Sequence, residues 1–392
     1  MCEMEITKKN MCVGCGRCAV ECPQKAIQIK SNIEGFWEPV INYKKCIKCK
    51  KCRAVCVVNC NMNKGKSNTN YLKYPVYAAH YKEGAKRKRS TSGGVCNALA
   101  EYVIKGGGIV YGVSYDDKYE YACYKRVTNI EDLEKIRGVK YIQSFPINYR
   151  QLKKDVESGK MVLMIGLPCA IAAAIEYVGR QYSNFFTVAL ICHGPTSNLV
   201  HQKYIAPYKN IVGFSLRKKG LCGINYVCVK KHNGKQFKEL WAMSPYNIAF
   251  SNISRPSCYK CRYKLSAASW DVMVGDFWGL ETDEFYKKDG NSVIVICSQK
   301  WGEEELLKKI GISYKKSDLK LVLENNPAIV TSTKKTSVSD ELFNEIKLNG
   351  LSDIKRRYLS PKDRIVCYLK QITAFFPYWI IHFIYREYRK KY

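Results

Sequence analysis

Several things are missing from this chain, and each absence removes a class of protein. No apolar run approaches the roughly 20 residues that a membrane-spanning helix needs. The opening Met-Cys-Glu-Met-Glu-Ile-Thr-Lys-Lys-Asn holds no apolar stretch of the secretory kind, so the expected compartment is the reducing cytoplasm. Histidine is scarce, at five, and His80, His193, His201, His232 and His382 show no zinc-protease spacing. No Gly-x-Gly-x-x-Gly follows a strand-like run and no P-loop occurs, which leaves a Rossmann dinucleotide site and a nucleotide triphosphatase unsupported. Acids are few as well: 34 Asp plus Glu face 65 Lys plus Arg, a net charge of +31. So basic a chain favours acidic redox partners, nucleic acid or anionic membrane surfaces. At 46% hydrophobic residues the 392-residue chain can still bury a proper core, about two domains' worth.

Cysteine is what the chain has in excess. Of 20 cysteines, ten fall within the first 60 residues. No disulfide scaffold of this size would be built so unevenly, and cytoplasmic cysteines in such density read as metal ligands. Cys12, Cys15, Cys18 and Cys22 follow C-x2-C-x2-C-x3-C, and Cys46, Cys49, Cys52 and Cys56 repeat it. This is the run that binds cubane iron–sulfur clusters. A cubane presents four irons at tetrahedral corners; three cysteines on a tight loop cap three of them, and the fourth thiolate must come from elsewhere. In two-cluster ferredoxins the distal cysteine of each run serves the other cluster. Cys12, Cys15, Cys18 and Cys56 would then hold one [4Fe-4S] cluster, and Cys46, Cys49, Cys52 and Cys22 the second. Zinc, the competing reading, needs only four ligands per ion and favours paired C-x2-C units. Between the runs, Ala-Ile-Gln-Ile-Lys and Glu-Pro-Val-Ile-Asn read as two short strands of a hairpin around Ile33, Glu34 and Gly35. The segment resembles the 2[4Fe-4S] ferredoxin domain, with Val57 where that family has proline and Cys60 as a spare thiol.

Beyond a polar linker over 63–75, the basic run Lys86 to Arg89 precedes Ser90-Thr-Ser-Gly-Gly94 and a helical pattern with Val95, Leu99, Tyr102 and Val103 on one face. Hydroxyls and glycines at a helix start, behind four cations, suit either an anion site or an ordinary N-cap beside a solvated basic run. Further on, Met161 to Ile165, an alanine-rich helix from Ala170 to Val178 and Phe185 to Ile191 read as a βαβ unit. If its strands are parallel, Cys169 and Cys192 lie at carboxyl ends on one sheet edge, where open α/β sheets place their sites. Cys258 and Cys261 sit in a loop ahead of the strand Trp270 to Val274. Spacing alone leaves Cys169 and Cys192 as plausible core residues, the commonest fate of a free cysteine.

Residues from about 76 to 300 resemble the coenzyme F-420 hydrogenase/dehydrogenase family of beta subunits. The stretches that carry the likeness are Arg89-Ser-Thr-Ser-Gly-Gly94, Arg137-Gly-Val-Lys-Tyr-Ile-Gln-Ser144, Gly166-Leu-Pro-Cys169, Leu190-Ile-Cys-His-Gly194, Arg255-Pro-Ser-Cys-Tyr-Lys-Cys261 and Asp271-Val-Met-Val-Gly-Asp-Phe-Trp278. The resemblance implies FAD, a [4Fe-4S] cluster in this domain and two-electron exchange with a deazaflavin coenzyme. Cys169, Cys192, Cys258 and Cys261 become the implied ligands of a third cluster. Ser92, Gly93, Gly94, Gly138, Lys140, Tyr141, Gln143, Ser144 and His193 become implied flavin contacts. Val139, Leu167, Ala170 and Pro195-Thr-Ser197 depart from the family pattern without removing a ligand. Bacterial members with a ferredoxin domain accompany surface-polysaccharide genes, which implies a link to that metabolism.

The expected fold is α+β: a ferredoxin-like two-cluster module over 1–62, then a mixed α/β flavin and iron–sulfur domain. The latter divides into a flavin-binding part over 76–160 and a third-cluster part over 161–345. The expected function is an iron–sulfur flavoprotein oxidoreductase served by a redox partner protein or a deazaflavin-type coenzyme, with no nucleic acid. The alternative is a non-catalytic electron carrier or docking subunit. Residues 346–392 form a basic aromatic tail. Within it Ile372 to Tyr385 puts Phe376, Ile380, Phe383 and Ile384 on one helical face ahead of Arg386, Arg389, Lys390 and Lys391. Such a face suits peripheral contact with anionic lipid at the inner side of the membrane, or packing on the protein's own core.

Overall fold

The hairpin between the cysteine runs forms as expected. In the computed structural model, β1 (Ile27–Ser31) and β2 (Trp37–Ile41) pair antiparallel, with Ile27 opposite Ile41. Asn32 makes the turn by accepting the Glu34 and Phe36 amides on its side chain, and Gly35 supplies the positive φ of 79°. Each cysteine run ends in a four-residue helix, Arg17–Val20 and Lys51–Ala54, that turns its third cysteine inward, so Cys18 and Cys52 are buried. The structure describes residues 5–63, 69–220, 224–280 and 283–362, together with 364, 365 and 369. The aromatic face of the tail and its terminal cations lie outside the described residues, as do Cys2, Cys222 and Cys367.

The body is built on one sheet of nine strands. These are β3 (Val76–Tyr81), β4 (Ile109–Tyr115), β5 (Ala122–Val127), β6 (Ser144–Phe145), β7 (Val162–Gly166), β8 (Phe185–Leu190), β12 (Val272–Asp276), β13 (Ser292–Ile296) and β14 (Ile312–Ser317), in the order β14-β3-β13-β12-β8-β7-β4-β5-β6. The four middle strands, β12, β8, β7 and β4, run parallel. A strand covered on both faces should read as an unbroken apolar run, and β7 does. Its Val162 and Met164 join one core with the helices Tyr149–Glu157 and Pro168–Val178, while Leu163 joins the other with the helix Val95–Lys105. The three remaining strands, β9 (Ile211–Lys219), β10 (Asn225–Lys231) and β11 (Gln236–Leu240), form a separate antiparallel sheet. It packs with the helices Asn198–Ile205, Pro245–Asn252 and Ser339–Asn349.

The parts expected on either side of residue 160 are interleaved. β3, the first strand after the ferredoxin module, pairs with β13 on one side and β14 on the other. Among the described residues no helix is long and apolar enough to cross a membrane.

Candidate redox site

The two cysteine runs exchange their fourth members in space. A small pocket is lined by Cys46, Cys49 and Cys52 of the second run and by Cys22 of the first. Conversely, Cys18 lies in the electrostatic field of Cys12, Cys15 and Cys56. Backbone amides already point at sulfur: Gly14 N donates to Cys12 Sγ at 3.3 Å, Lys48 N to Cys46 Sγ at 3.4 Å and Ala26 N to Cys22 Sγ at 3.3 Å. Burial pushes the Cys15 thiol up to about 12 and raises Cys12 and Cys18 as well. Thiols held out of water ionise only beside a cationic centre, which the iron of a bound cluster would supply.

A third group of thiols forms at the carboxyl edge of the large sheet. β7 ends at Gly166 and leads through Leu167 and Pro168 to Cys169 in the first turn of a helix. Its parallel neighbour β8 ends at Leu190, two residues before Cys192, whose Sγ accepts from Gly194 N at 3.3 Å. Cys258 and Cys261 come from the short 3-10 turn Pro256–Lys260 and the residue after it. All four line one cavity. Cys15 of the ferredoxin module lines it too, and its charge reaches Cys169. Burial raises the Cys169, Cys192 and Cys258 thiols, while the Lys264 ammonium pulls Cys192 and Cys258 back down. Lys264 is held there by donating to Cys192 O at 3.0 Å and Ala328 O at 2.8 Å. Two more polar groups line this cavity: the hydroxyls of Tyr124 and Tyr263 are buried with no hydrogen-bond partner among the described residues. At two places, Cys22 with Cys46, Cys49 and Cys52, and Cys169 with Cys192, Cys258 and Cys261, four thiols surround a volume with backbone amides or a lysine beside them, a donor set that fits an iron–sulfur cluster. Among the described residues no group of three or more such side chains is gathered closely enough for a single metal ion.

The seam between module and body runs through Arg255. Its side chain is 3% exposed, and it donates to Cys12 O at 2.6 Å, Trp37 O at 3.1 Å, Gln143 Oε1 at 2.8 Å and Glu38 Oε1 at 3.1 Å. Gln143, expected among the flavin contacts, spends its amide here instead. Its Oε1 also accepts the Trp37 amide at 2.8 Å, and its Nε2 faces Val13 O and Trp37 O. Tyr149 Oη donates to Cys15 O at 2.8 Å. Arg255, Tyr149, Tyr124 and Tyr263 are the functional residues that sequence reasoning missed. Arg255 stood inside a quoted motif, yet its partners are 112 to 243 positions away, and no local pattern shows them.

The remaining flavin candidates lie along the same carboxyl edge. Tyr141 stacks on Phe250 with ring centroids 4.1 Å apart, and its Oη accepts from Arg217 at 3.1 Å. Arg217 pairs with Asp276, the last residue of β12, at 2.7 Å. His193 lies against Trp278 and in the field of Lys264, Asp276 and Arg217, with its pKa lowered chiefly by burial. Lys140 donates to the carbonyls of Arg137 and Gly138, and burial brings it down to about 7, so an anion beside it would restore its charge. Ser144 lines the thiol cavity, and Gly138 faces open space. Ser92 and Gly93 are already engaged: Ser92 Oγ donates to Asn291 O at 2.6 Å and Gly93 N donates to Ser292 Oγ at 3.0 Å. Lys219 donates to Ser92 O at 2.8 Å and is lowered to about 8, mainly by burial. Gly94 begins the helix Val95–Lys105.

Two segments of the chain match models of known families. Residues 11–60 match the model of the 4Fe-4S dicluster domain. Residues 159–314 match that of the C terminus of the coenzyme F420 hydrogenase/dehydrogenase beta subunit. That segment is similar to these beta subunits. All four carboxyl-edge cysteines lie inside the matched segment, whereas Ser92 to Gly94 and Gly138 to Ser144 precede it. The F subunit of the F(420)H(2) dehydrogenase of Methanosarcina mazei is 26% identical over 182 residues, covering 43% of this chain and 49% of that relative. The match thus spans about half of the relative's length. The F420-reducing [NiFe] hydrogenase complex of Methanosarcina barkeri contains a chain with 19% identity and a TM-score of 0.44, over 74% of this chain and 93% of that one. Two segments of the chain are thus similar to a 4Fe-4S dicluster domain and to the C terminus of these beta subunits.

Proposed function

We propose that this protein is an iron–sulfur flavoprotein oxidoreductase with three [4Fe-4S] clusters and FAD. Bound in these sites, clusters exchange single electrons and a flavin pools two of them for a hydride-type reduction or its reverse. The observation that carries the proposal is the shared cavity, where Cys15 of the ferredoxin module meets Cys169, Cys192, Cys258 and Cys261. That meeting turns two cysteine-rich segments into one continuous site. Around it the chain's own residues have separable tasks. Arg255, Gln143 and Tyr149 hold the module at fixed distance, Lys264 offsets thiolate charge, and Tyr141, Arg217, Asp276 and His193 offer a polar, aromatic face on the far side of Cys192. A deazaflavin coenzyme is the proposed partner of that face. It rests on the relatives, one of which is named for oxidising reduced F420.

Anaerobic purification with iron, sulfide and flavin quantification tests the reading. Three cubanes give about twelve irons per chain, and Cys258→Ala with Cys261→Ala should remove about four. Stoichiometric zinc without acid-labile sulfide would refute the cluster sites altogether. Unchanged iron in the double variant would refute the third. Full cluster content with no flavin, even after adding FAD, would leave the electron-carrier reading in place of the enzyme.

A further inference from the structure

The two cysteine runs give their loops the same backbone shape with different residues. In the first run Gly14 and Gly16 are left-handed, at φ 66° and 78°; in the second Lys48 and Lys50 take these places, at φ 55° and 59°. Gly16 and Lys50 each immediately precede the short helix that carries the third cysteine. Glycine enters this region freely, whereas a side chain there crowds its own backbone, and lysine is not among the residues that tolerate it well. Packing enforces glycine in the first run: a Cβ at Gly14 would lie 1.9 Å from Gln143 Nε2, and one at Gly16 would lie 2.7 Å from the Pro146 ring. The second run faces outward, with Ile47, Lys48, Cys49 and Lys50 all exposed. Two lysines therefore hold a strained conformation where glycine would fit more easily. A strained backbone is a reason to look for function, and what lysine adds here is positive charge.

The surroundings share that character. Lys44, Lys45, Lys48, Lys50, Lys51 and Arg53 make six cations in ten positions, with no acid among them. All six are exposed, and only Lys51 has an ion pair among the described residues, with Glu21 at 3.4 Å. Ile47, at 60% exposed, and Tyr43, at 48%, put apolar contact area among them. Cys49, itself exposed, brings the edge of the redox site to the surface in the middle of this rim.

We propose that the lysine rim around Cys49 is the docking surface for a small acidic protein that carries one electron at a time. The proposal rests on the cluster reading of Cys22, Cys46, Cys49 and Cys52. Complementary charge would orient the carrier so that its own redox edge meets Cys49, with Ile47 and Tyr43 excluding water between them. In each encounter the carrier loses one electron and the protein gains one. Two encounters and a proton from water supply the equivalents of one hydride. A lipid or nucleic-acid surface would cover the exposed thiol without using it, so the placement of charge around Cys49 favours a redox protein.

Stopped-flow reduction of the full-length, cluster-loaded protein by a reduced, small acidic two-cluster ferredoxin tests this. Electrostatic steering raises association rates by roughly 10- to 1,000-fold, so Lys48→Gly with Lys50→Gly should slow reduction about tenfold at low salt. The wild-type rate should fall as salt screens the rim, while the variant responds less. Because both substitutions relieve strain, the variant should fold and keep its iron; Lys44→Gln with Lys45→Gln is the second variant, with ordinary backbone. Dithionite, which needs no docking, should reduce all forms at one rate. Equal ferredoxin rates for wild type and both variants, with iron and dithionite reduction intact, overturn the docking surface alone. Loss of wild-type iron from the outer site would instead overturn the cluster reading beneath it. Binding to anionic vesicles that the same substitutions abolish, without slowing ferredoxin, would assign the rim to a membrane and overturn the proposal.

Discussion

At the scale of single residues, Arg255 does the most work. One buried guanidinium bonds three chain segments: it satisfies Cys12 O and shares Trp37 O and Gln143 Oε1 with the donors already on them where module and body close on each other. Hydrogen bonds from a charged donor are worth about 1.5–3 kcal/mol each, so Arg255→Ala should lower stability by about 3 kcal/mol or more. Arg255→Lys should not rescue it, because a single ammonium cannot reach the same directions. Denaturant midpoints and protease susceptibility of the 1–63 segment measure both effects; an unchanged midpoint would show that the seam does not depend on this residue. Tyr263 makes a subtler prediction. Its hydroxyl, without a hydrogen-bond partner among the described residues, lies in the field of Cys169, Cys15, Cys56 and Cys261. Hydrogen bonds to cluster sulfur raise reduction potential, so Tyr263→Phe should keep full iron while lowering the potential of one cluster in an EPR-monitored titration. An unshifted titration would place the hydroxyl's role elsewhere.

At the scale of elements, the turn before the helix Val95–Lys105 changes how the flavin can be tested. Gly94 has φ 94°, and a Cβ there would lie 2.4 Å from the Tyr81 ring and 2.8 Å from Ser90 Oγ. Gly94→Ala should therefore lower stability by about 1–3 kcal/mol, read as a drop in melting temperature with or without FAD. Flavin loss from any variant with a side chain at Gly94 would then report a damaged turn as much as a lost flavin contact. The same elements show what could be read in advance. The hairpin, the helix from Val95 and the βαβ unit around Cys169 were legible because each is written in local periodicity. That Cys22 lies beside the second run was legible from the two-cluster ferredoxin pattern, in which the distal cysteine of each run crosses over. The insertion of β3 between β13 and β14 was not, since its apolar run names no partner. Nor was the loss of Gln143 to the seam: a motif says which residues stand together, while the packing of a second module decides what each one bonds.

At the scale of the whole molecule, two buried histidines should make the fold sensitive to acid. Burial lowers His80 and His201 to about 4, against an ordinary value of 6.5. Folded-state values below the unfolded ones mean that the unfolded chain takes up protons first. This contribution is complete above about pH 6.5 and is lost as pH falls toward 4, at about 1.4 kcal/mol per pH unit for each histidine. Denaturant midpoints between pH 7 and 5 should fall accordingly, and His201→Gln should flatten the slope whatever it does to the intercept. An equally steep variant would remove His201 from the account. The interleaved sheet has a consequence for how the protein is made. A ribosome adding about 5–20 residues per second finishes the ferredoxin module early, but β3 waits for both its neighbours until Ser317 has emerged. Arg255, which bonds the Cys12 loop, also comes late. For roughly ten to fifty seconds of synthesis, the thiols that end up walled in behind the seam stand open to the machinery that delivers iron and sulfide. If those thiols hold clusters, birth order would give them their window for loading, and the last strand would close it.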